Sequence, residues 1–128
     1  ALRVRWSDVD AYRHVNNVKY FEYFQEARIA YLYRLAQEHF PQGGPALVVA
    51  QTDVEYLRPM VYRREPYPMR SWISRVGNSS FVVEADIRDG DEVLSRTRVV
   101  LVTFDTETQK AAPAPDSYRQ ALLSQVQR

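Results

Sequence analysis

A proline- and glycine-free run from Val18 to about His39 is the feature that most limits the folds open to this chain. Apolar residues recur along the run at helical spacing: Tyr20, Phe24, Ala27, Tyr31 and Leu35. Three further apolar residues widen this stripe: Phe21, Ile29 and Leu32. A helix that is apolar over most of its circumference is expected to be largely buried. Pro41 and the Gly-Gly-Pro cluster at 43–45 end the run, so the sequence predicts one long, buried helix.

The rest of the chain changes to the period-two alternation of β-strands. Strand-like runs are found at Leu2–Trp6, Val48–Tyr56, Met69–Val76, Phe81–Arg88 and Val93–Phe104. Gly77-Asn78 and Asp89-Gly90-Asp91 are turn signals, so the last three runs read as a meander. A short helix is predicted within 114–127. The sequence therefore predicts an α+β domain over 1–128, with one five-stranded antiparallel sheet against one long helix. Such a sheet exposes an edge, which favours oligomerisation.

The composition of the chain excludes several classes of protein function. The chain has 128 residues, no cysteine and a formal net charge of +1. A thiol nucleophile, a disulfide framework and a zinc–thiolate site are excluded, and no global charge favours nucleic acid or a membrane surface. No apolar run is long enough to span a bilayer and no secretory pattern is found, so a soluble cytoplasmic protein is expected.

Polar residues crowd the stretch just before the predicted helix: Asp8, Asp10, His14, Asn16 and Asn17. A helix N-terminus offers free backbone N–H groups and a partial positive charge, which can stabilise a developing oxyanion. A reaction site is one interpretation. The other is that Asn16 or Asn17 caps the helix while the aspartates shape a turn. The local sequence leaves both open.

The run from Asp8 to Tyr20, DVDAYRHVNNVKY, resembles the start of the central helix in hot-dog-fold thioesterases, especially the 4-hydroxybenzoyl-CoA thioesterase-like family of acyl-CoA thioesterases. It also resembles the catalytic loop of plant acyl-carrier-protein thioesterases. The likeness continues in 54–59 (VEYLRP) and 77–80 (GNSS) and in the closing strand, over roughly residues 3 to 113. The resemblance implies a hot-dog fold, homodimers or homotetramers with sites at the subunit interface, and hydrolysis of acyl-CoA without a metal or organic cofactor.

The resemblance also implies roles for individual residues. Asp10 matches the catalytic carboxylate, Asn17 supplies the backbone N–H that polarises the thioester carbonyl, and His14 matches the histidine of the plant loop. Tyr12 departs from the plant pattern, which has a catalytic asparagine there. Arg63-Arg64-Glu65 replaces a Gly-Asp pair that many relatives show after the proline. The expected substrate-binding residues are Tyr12, Asn16, Tyr20, Tyr23, Arg75, Ser79 and Ser80.

The chemistry leaves some alternatives open. Asp10 would be ionised at neutral pH and could attack the carbonyl or align a water. His14 is expected to hold the Asp10 loop against the helix rather than to carry protons. His39 is expected near the helix C-terminus. A Ser-His-Asp triad is discounted for want of a nucleophile elbow, and a metal site for want of a histidine cluster.

Two rival functions remain at this point. The first is a non-catalytic module that binds or senses acyl thioesters, but a pure binder has no need of Asp10. The second is a hot-dog dehydratase, which expects a histidine on the helix face around Glu22 and Glu26, where this chain has none. The identity of the acyl group is beyond the sequence, because one methylene changes selectivity by only ~1–3 kcal/mol.

Overall fold

The computed structural model describes residues 2–10, 13–39 and 45–126. These ranges contain two α-helices, α1 (Asn17–His39) and α2 (Asp116–Ser124). They also contain five strands: β1 (Ala46–Tyr56), β2 (Met69–Val76), β3 (Ser80–Asp89), β4 (Glu92–Asp105) and β5 (Lys110–Ala111). The predicted α+β class, with one five-stranded antiparallel sheet and one long helix, is confirmed.

The strands lie in the order β1-β4-β3-β2, and β5 pairs with the far end of β4. All pairings are antiparallel. The β3–β4 turn uses Gly90 at φ 61°, a backbone conformation that glycine adopts without a steric cost. Among the described residues, no strand pairs with the outer edge of β1. On that edge, the backbone N–H and C=O groups of β1 therefore have no partner strand among the described residues.

The prediction of a first strand at Leu2–Trp6 is wrong. Leu2 alone pairs, forming a single bridge with Tyr67, and the chain then makes a 3₁₀ turn at Trp6–Asp8. Leu2 and Val4 are buried while the arginines between and after them are exposed, so the alternation indicated the correct faces. Alternation reports which side chains are buried, and it does not report whether the backbone has a continuous partner.

The fifth strand of the sheet is instead β5, which has only 2 residues and is too short to produce a detectable pattern. The terminal helix was expected within 114–127, and the structure has it at Asp116–Ser124. These are differences at the ends of the fold. The four long elements that follow α1 were predicted to within a few residues.

The long helix is buried on one face only, so the expectation of a largely buried helix is wrong for a single chain. Its buried residues are Tyr20, Tyr23, Phe24 and Leu35. Phe21, Ile29 and Tyr33 are 45%, 55% and 63% exposed, because one sheet covers one side of a helix. Within the described ranges, neither helix combines the length and the apolar character that crossing a membrane requires.

Candidate active site

Asp10 and His14 lie at the two ends of a tight loop, and hydrogen bonds join these two residues directly. The Asp10 N–H donates to the His14 carbonyl at 2.8 Å, and the His14 N–H donates to Asp10 Oδ1 at 3.2 Å. Inside the loop, the Arg13 N–H donates to the Asp10 carbonyl at 3.0 Å. Arg13 has φ 62°, in the left-handed region that costs a non-glycine residue roughly 1–2 kcal/mol. Tyr12, one of the expected substrate-binding residues, lies outside the described residues.

The loop is fixed against the segment that follows β1. The Val15 N–H donates to the Met60 carbonyl at 2.7 Å, and the Tyr62 N–H donates to the Arg13 carbonyl at 3.2 Å. His14 forms an isolated bridge with Val61. Among the described residues, the bonds that join His14 to the loop and to this segment use main-chain atoms of His14. The described bonds that anchor the loop therefore come from the backbone of His14, whereas its imidazole is exposed to solvent.

Asn16 caps the start of helix α1. Its Oδ1 accepts a hydrogen bond from the Val18 N–H at 3.0 Å, and its carbonyl accepts one from the Lys19 N–H at 2.9 Å. Asn17, between them, is different, because no described residue accepts a hydrogen bond from its backbone N–H. A free N–H at the first position of a helix is a donor for a bound oxygen atom. The two interpretations of the sequence are compatible here, since Asn16 caps the helix while Asn17 presents a donor.

A cleft of ≈ 230 Å³ opens beside this donor. Its walls come from the loop, the helix start and the end of β1: His14, Val15, Asn17, Tyr20, Tyr56, Leu57, Arg58 and Pro59. Tyr20 Oη accepts a hydrogen bond from the Met60 N–H at 3.1 Å, and burial raises the pKa of the Tyr20 hydroxyl. Tyr20 therefore lines the cleft beside Asn17, and its hydroxyl is hydrogen-bonded to the backbone.

Tyr56 is a residue of this cleft that sequence reasoning missed. Its hydroxyl donates to the Asn17 carbonyl at 3.0 Å, and its ring packs edge-on against Tyr20 with centroids 5.0 Å apart. It ends β1 immediately before the 57–59 segment. The available signal was its place inside the VEYLRP motif, which joins a strand end to the cleft.

A buried carboxylate lies beneath the loop, and it belongs to Asp8 rather than Asp10. Asp8 is 2% exposed, and Tyr23 donates its hydroxyl hydrogen to Asp8 Oδ2. Arg5 Nε donates to the same oxygen at 2.9 Å, and Lys19 Nζ lies 4.0 Å from Oδ1. Burial by itself would raise the pKa of Asp8, but the bonds from Tyr23 and Arg5 outweigh it and hold that pKa below its ordinary value. Burial and the bond to Asp8 raise the pKa of Tyr23.

Tyr23 is consequently not among the residues that line the cleft beside Asn17. It borders a second cavity of ≈ 490 Å³, which lies between the N-terminal segment, the middle of α1 and the start of β2. Within one chain, Tyr20 and Tyr23 therefore line different cavities, although the sequence suggested a shared pocket. The two side chains are three residues apart on the helix and face different spaces.

The remaining expected substrate-binding residues, Arg75, Ser79 and Ser80, lie at the opposite end of the sheet. Ser80 pairs with Val102, whereas Tyr56 pairs with Ser95 at the other end of β4. These two β4 positions are seven residues apart, which corresponds to about 23 Å of strand at ~3.3 Å per residue. Within one chain these residues do not share a site with Asn17.

Several other charged residues near the sheet and at the end of α1 have local partners. Glu55 lies on the sheet opposite Arg96, at 3.7 Å, and Arg63 binds Asp89 at 3.0 Å while stacking over the Tyr67 ring. His39 lies in the last turn of α1, beside Glu38. Over the described ranges, no three histidine, aspartate or glutamate side chains come together in a way that could hold a metal ion.

An antiparallel sheet against one long helix, with an available amide at the helix start and a carboxylate-bearing loop before it, is the arrangement that the resemblance to hot-dog-fold thioesterases predicts. The chain belongs to the thioesterase-like superfamily, whose family model matches residues 4–122, and it is a thioester hydrolase.

Individual relatives agree with this assignment. The chain is 32% identical to the uncharacterized protein YsmA of Bacillus subtilis (strain 168) over 95% of its own length and 82% of that protein. It is 27% identical to the long-chain acyl-CoA thioesterase FadM of Escherichia coli (strain K12), over 98% of this chain and 96% of FadM. A thioesterase from Thermus thermophilus, solved in complex with coenzyme A and Zn, superposes with a TM-score of 0.78 and 28% identity, over 96% of this chain and 89% of that one.

Proposed function

We propose that this protein is an acyl-CoA thioesterase that hydrolyses its substrate to a free acid and coenzyme A. The observation that carries the proposal is the backbone N–H of Asn17, which no described residue occupies, in a cleft that Asn17 lines together with His14, the residue hydrogen-bonded to Asp10. Two relatives support the choice of thioester: FadM is named for long-chain acyl-CoA, and the Thermus thermophilus protein holds coenzyme A.

In the proposed reaction, the thioester carbonyl oxygen accepts a hydrogen bond from the Asn17 N–H. Charge that develops on this oxygen during attack is stabilised by the amide and by the helix N-terminus, and removing one such donor typically costs on the order of 10²–10³ in rate. The C–S bond then breaks, and the coenzyme A thiolate leaves and takes up a proton. The reaction so written consumes one water and needs no metal or organic cofactor.

Asp10 has two possible roles in this scheme. As a nucleophile, its carboxylate attacks the carbonyl carbon and forms a mixed anhydride, which water then hydrolyses. As a general base, it removes a proton from a water that attacks directly. Single turnover in ¹⁸O-labelled water tests the nucleophilic role, because label enters the Asp10 carboxylate only when water attacks the anhydride at the Asp10 carbonyl. Mass spectrometry of the loop peptide detects this label, whereas the general-base route leaves Asp10 unlabelled and puts the label in the product acid alone.

Hydrolysis of a panel of short-chain, long-chain and aromatic acyl-CoA substrates, followed with a thiol reagent, tests the function itself. We expect release of coenzyme A from at least one member at a rate that depends on Asp10. Tight binding of acyl-CoA without turnover would instead make the protein a binding module. Turnover of acyl-carrier-protein thioesters alone would keep the chemistry and change the carrier.

We further propose that two chains build each complete site. Strand β1 has an open edge, and its neighbour β4 runs from the Tyr56 end of the sheet to the end that holds Ser79 and Ser80. Antiparallel pairing of β1 with the β1 of a second copy reverses the direction of the partner sheet. It therefore brings the partner copy's Ser79–Ser80 end toward this chain's Asn17. A homodimer, or a pair of dimers, follows from this arrangement.

A further inference from the structure

The carboxylate of Asp8 is buried two residues before Asp10, and it does not line the cleft beside Asn17. Its side chain is bound from two elements, by Tyr23 in the second turn of α1 and by Arg5 in the N-terminal segment. Its backbone carbonyl accepts a hydrogen bond from the Asn16 N–H at 2.8 Å. One residue is thus joined both to the body of the helix and to the residue that caps the helix.

These bonds connect the two groups assigned to the reaction. Asp10 lies two residues after Asp8 along the chain, and the Asn17 N–H follows the Asn16 cap. Val9 and Val15 form an isolated bridge between the two arms of the loop, immediately beyond Asp8. Movement of Asp8 relative to Tyr23 would therefore shift the loop and the cap together.

We propose that Asp8 is a positioning residue, whose buried carboxylate fixes the distance between Asp10 and the Asn17 amide through Tyr23 and Asn16. This inference rests on the proposed function, since it concerns the geometry of that site. It differs from the interpretation of Asp8 as a residue that shapes a turn, because the bond to Tyr23 spans 15 residues and ends on the helix.

The charge of Asp8 is needed for this role. An asparagine in its place could still accept the hydrogen bond from Tyr23, but its NH₂ group would be directed toward the cations of Arg5 or Lys19. We therefore expect Asp8→Asn to rearrange this anchor even though the shape of the side chain is conserved.

Asp86 offers a matched control. It is 3% exposed, on β3, and its carboxylate binds Arg70 at 3.0 Å and Arg88 at 3.1 Å. Asp86→Asn therefore also damages a buried carboxylate that is paired with arginine, but on a strand that contributes no residue to the cleft. A loss of activity that merely follows instability would occur in both variants.

The experiment compares Asp8→Asn, Tyr23→Phe and Asp86→Asn in kcat and KM on the best acyl-CoA substrate, in urea unfolding and in amide hydrogen exchange. We expect Asp8→Asn to lower kcat by about 10²-fold, as for a misplacement of the order of 1 Å, with KM changed by less than about 3-fold. Tyr23→Phe is expected to lower kcat in the same way but by less. Asp86→Asn is expected to keep the wild-type kcat among folded molecules.

The double variant Asp8→Asn/Tyr23→Phe is expected to lose no more kcat than Asp8→Asn alone, because both changes break one connection. Wild-type kcat in folded Asp8→Asn, or equal loss in Asp86→Asn, would overturn the inference. If Asp8→Asn does not fold, Tyr23→Phe becomes the test variant. A wild-type kcat in Tyr23→Phe would then overturn the inference.

Hydrogen exchange separates this inference from the function on which it rests. Faster exchange of the Asn16 amide in Asp8→Asn, but not in Asp86→Asn, would support the positioning role even if no acyl-CoA were hydrolysed. Unchanged Asn16 exchange in Asp8→Asn would overturn the role while leaving the thioesterase proposal intact.

Discussion

Asp10 and His14 are joined twice, by a backbone bond of 2.8 Å from the Asp10 N–H to the His14 carbonyl and by a bond of 3.2 Å from the His14 N–H to Asp10 Oδ1. The second bond orients the Asp10 carboxylate without using any side-chain atom of His14. The orientation of Asp10 therefore persists when residue 14 is replaced, and this separates the roles of the two residues experimentally.

We predict that Asp10→Asn keeps the fold and lowers thioester hydrolysis by at least about 10²-fold, as expected for loss of an acid–base group. Asparagine retains the oxygen that accepts from the His14 N–H, so the loop is preserved while the charge is lost. Steady-state kinetics measures the loss of activity, and circular dichroism checks that the fold is kept. Asp91→Asn, in the exposed β3–β4 turn, is the control and should change neither activity nor fold. Near-normal turnover in Asp10→Asn would refute the assigned mechanism.

For His14 we predict that the imidazole carries no proton in the reaction, so the pH–rate profile keeps one shape in the wild type, His14→Gln and His14→Ala. His14→Gln should retain more activity than His14→Ala, because glutamine keeps a hydrogen-bonding group in the cleft while both variants keep the backbone bonds. An inflection of the wild-type profile that disappears equally in both variants would make His14 the base and Asp10 its orienting partner.

The cap residue provides a third prediction. Asn16→Ala removes the acceptor of the Val18 N–H and should lower the free energy of unfolding by about 1 kcal/mol. It should also reduce kcat, because the first turn that holds the Asn17 amide becomes less ordered. Asn16→Asp is the control, since aspartate caps helices about as well as asparagine. Urea unfolding and kinetics measure both effects, and equal stability of the alanine and aspartate variants would count against the cap.

Acid stability follows from Asp8. The pKa of Asp8 is lowered in the folded protein relative to the ordinary value of 3.8, so its ion pair stabilises the fold above that pH and the benefit is lost as pH falls below it. Urea unfolding at a series of pH values should therefore show a stability gap between wild type and Asp8→Asn that narrows below about pH 4. Tyr23→Phe removes a donor to the carboxylate and brings the folded-state pKa of Asp8 closer to its ordinary value, so this variant should lose less stability on acidification than the wild type. A gap that does not change with pH would contradict this assignment.

The open edge of β1 leads to a prediction on assembly. Light scattering at micromolar concentration should show a dimer or tetramer. Val48 and Val49 on β1 are each 43% exposed, and replacing both by lysine should dissociate the oligomer and reduce activity if sites are shared. Leu123→Lys, at a 40% exposed position on α2, is the matched control. A monomeric wild type would overturn both the oligomer and the shared site.

The sequence predicted the parts of this fold whose patterns are local. The proline-free run became α1, and the Gly77-Asn78 turn separates β2 from β3 as expected. Asp10, Asn16 and Asn17 could be proposed as site residues because they are close together in the chain and in a recognisable motif. The bond between Asp8 and Tyr23 was missed because it depends on how the 3₁₀ turn folds back onto the helix. The exposed face of α1 was missed because hydrophobic periodicity does not distinguish burial within one chain from burial between chains.

The positive φ of Arg13 determines which substitutions this loop can accept. A library of all residues at position 13 should be ordered by their tolerance of the left-handed region and not by charge or size, with glycine and asparagine retained and valine and isoleucine lost. Variation at this position among natural sequences would then be governed by backbone conformation, even though the residue borders the proposed active site.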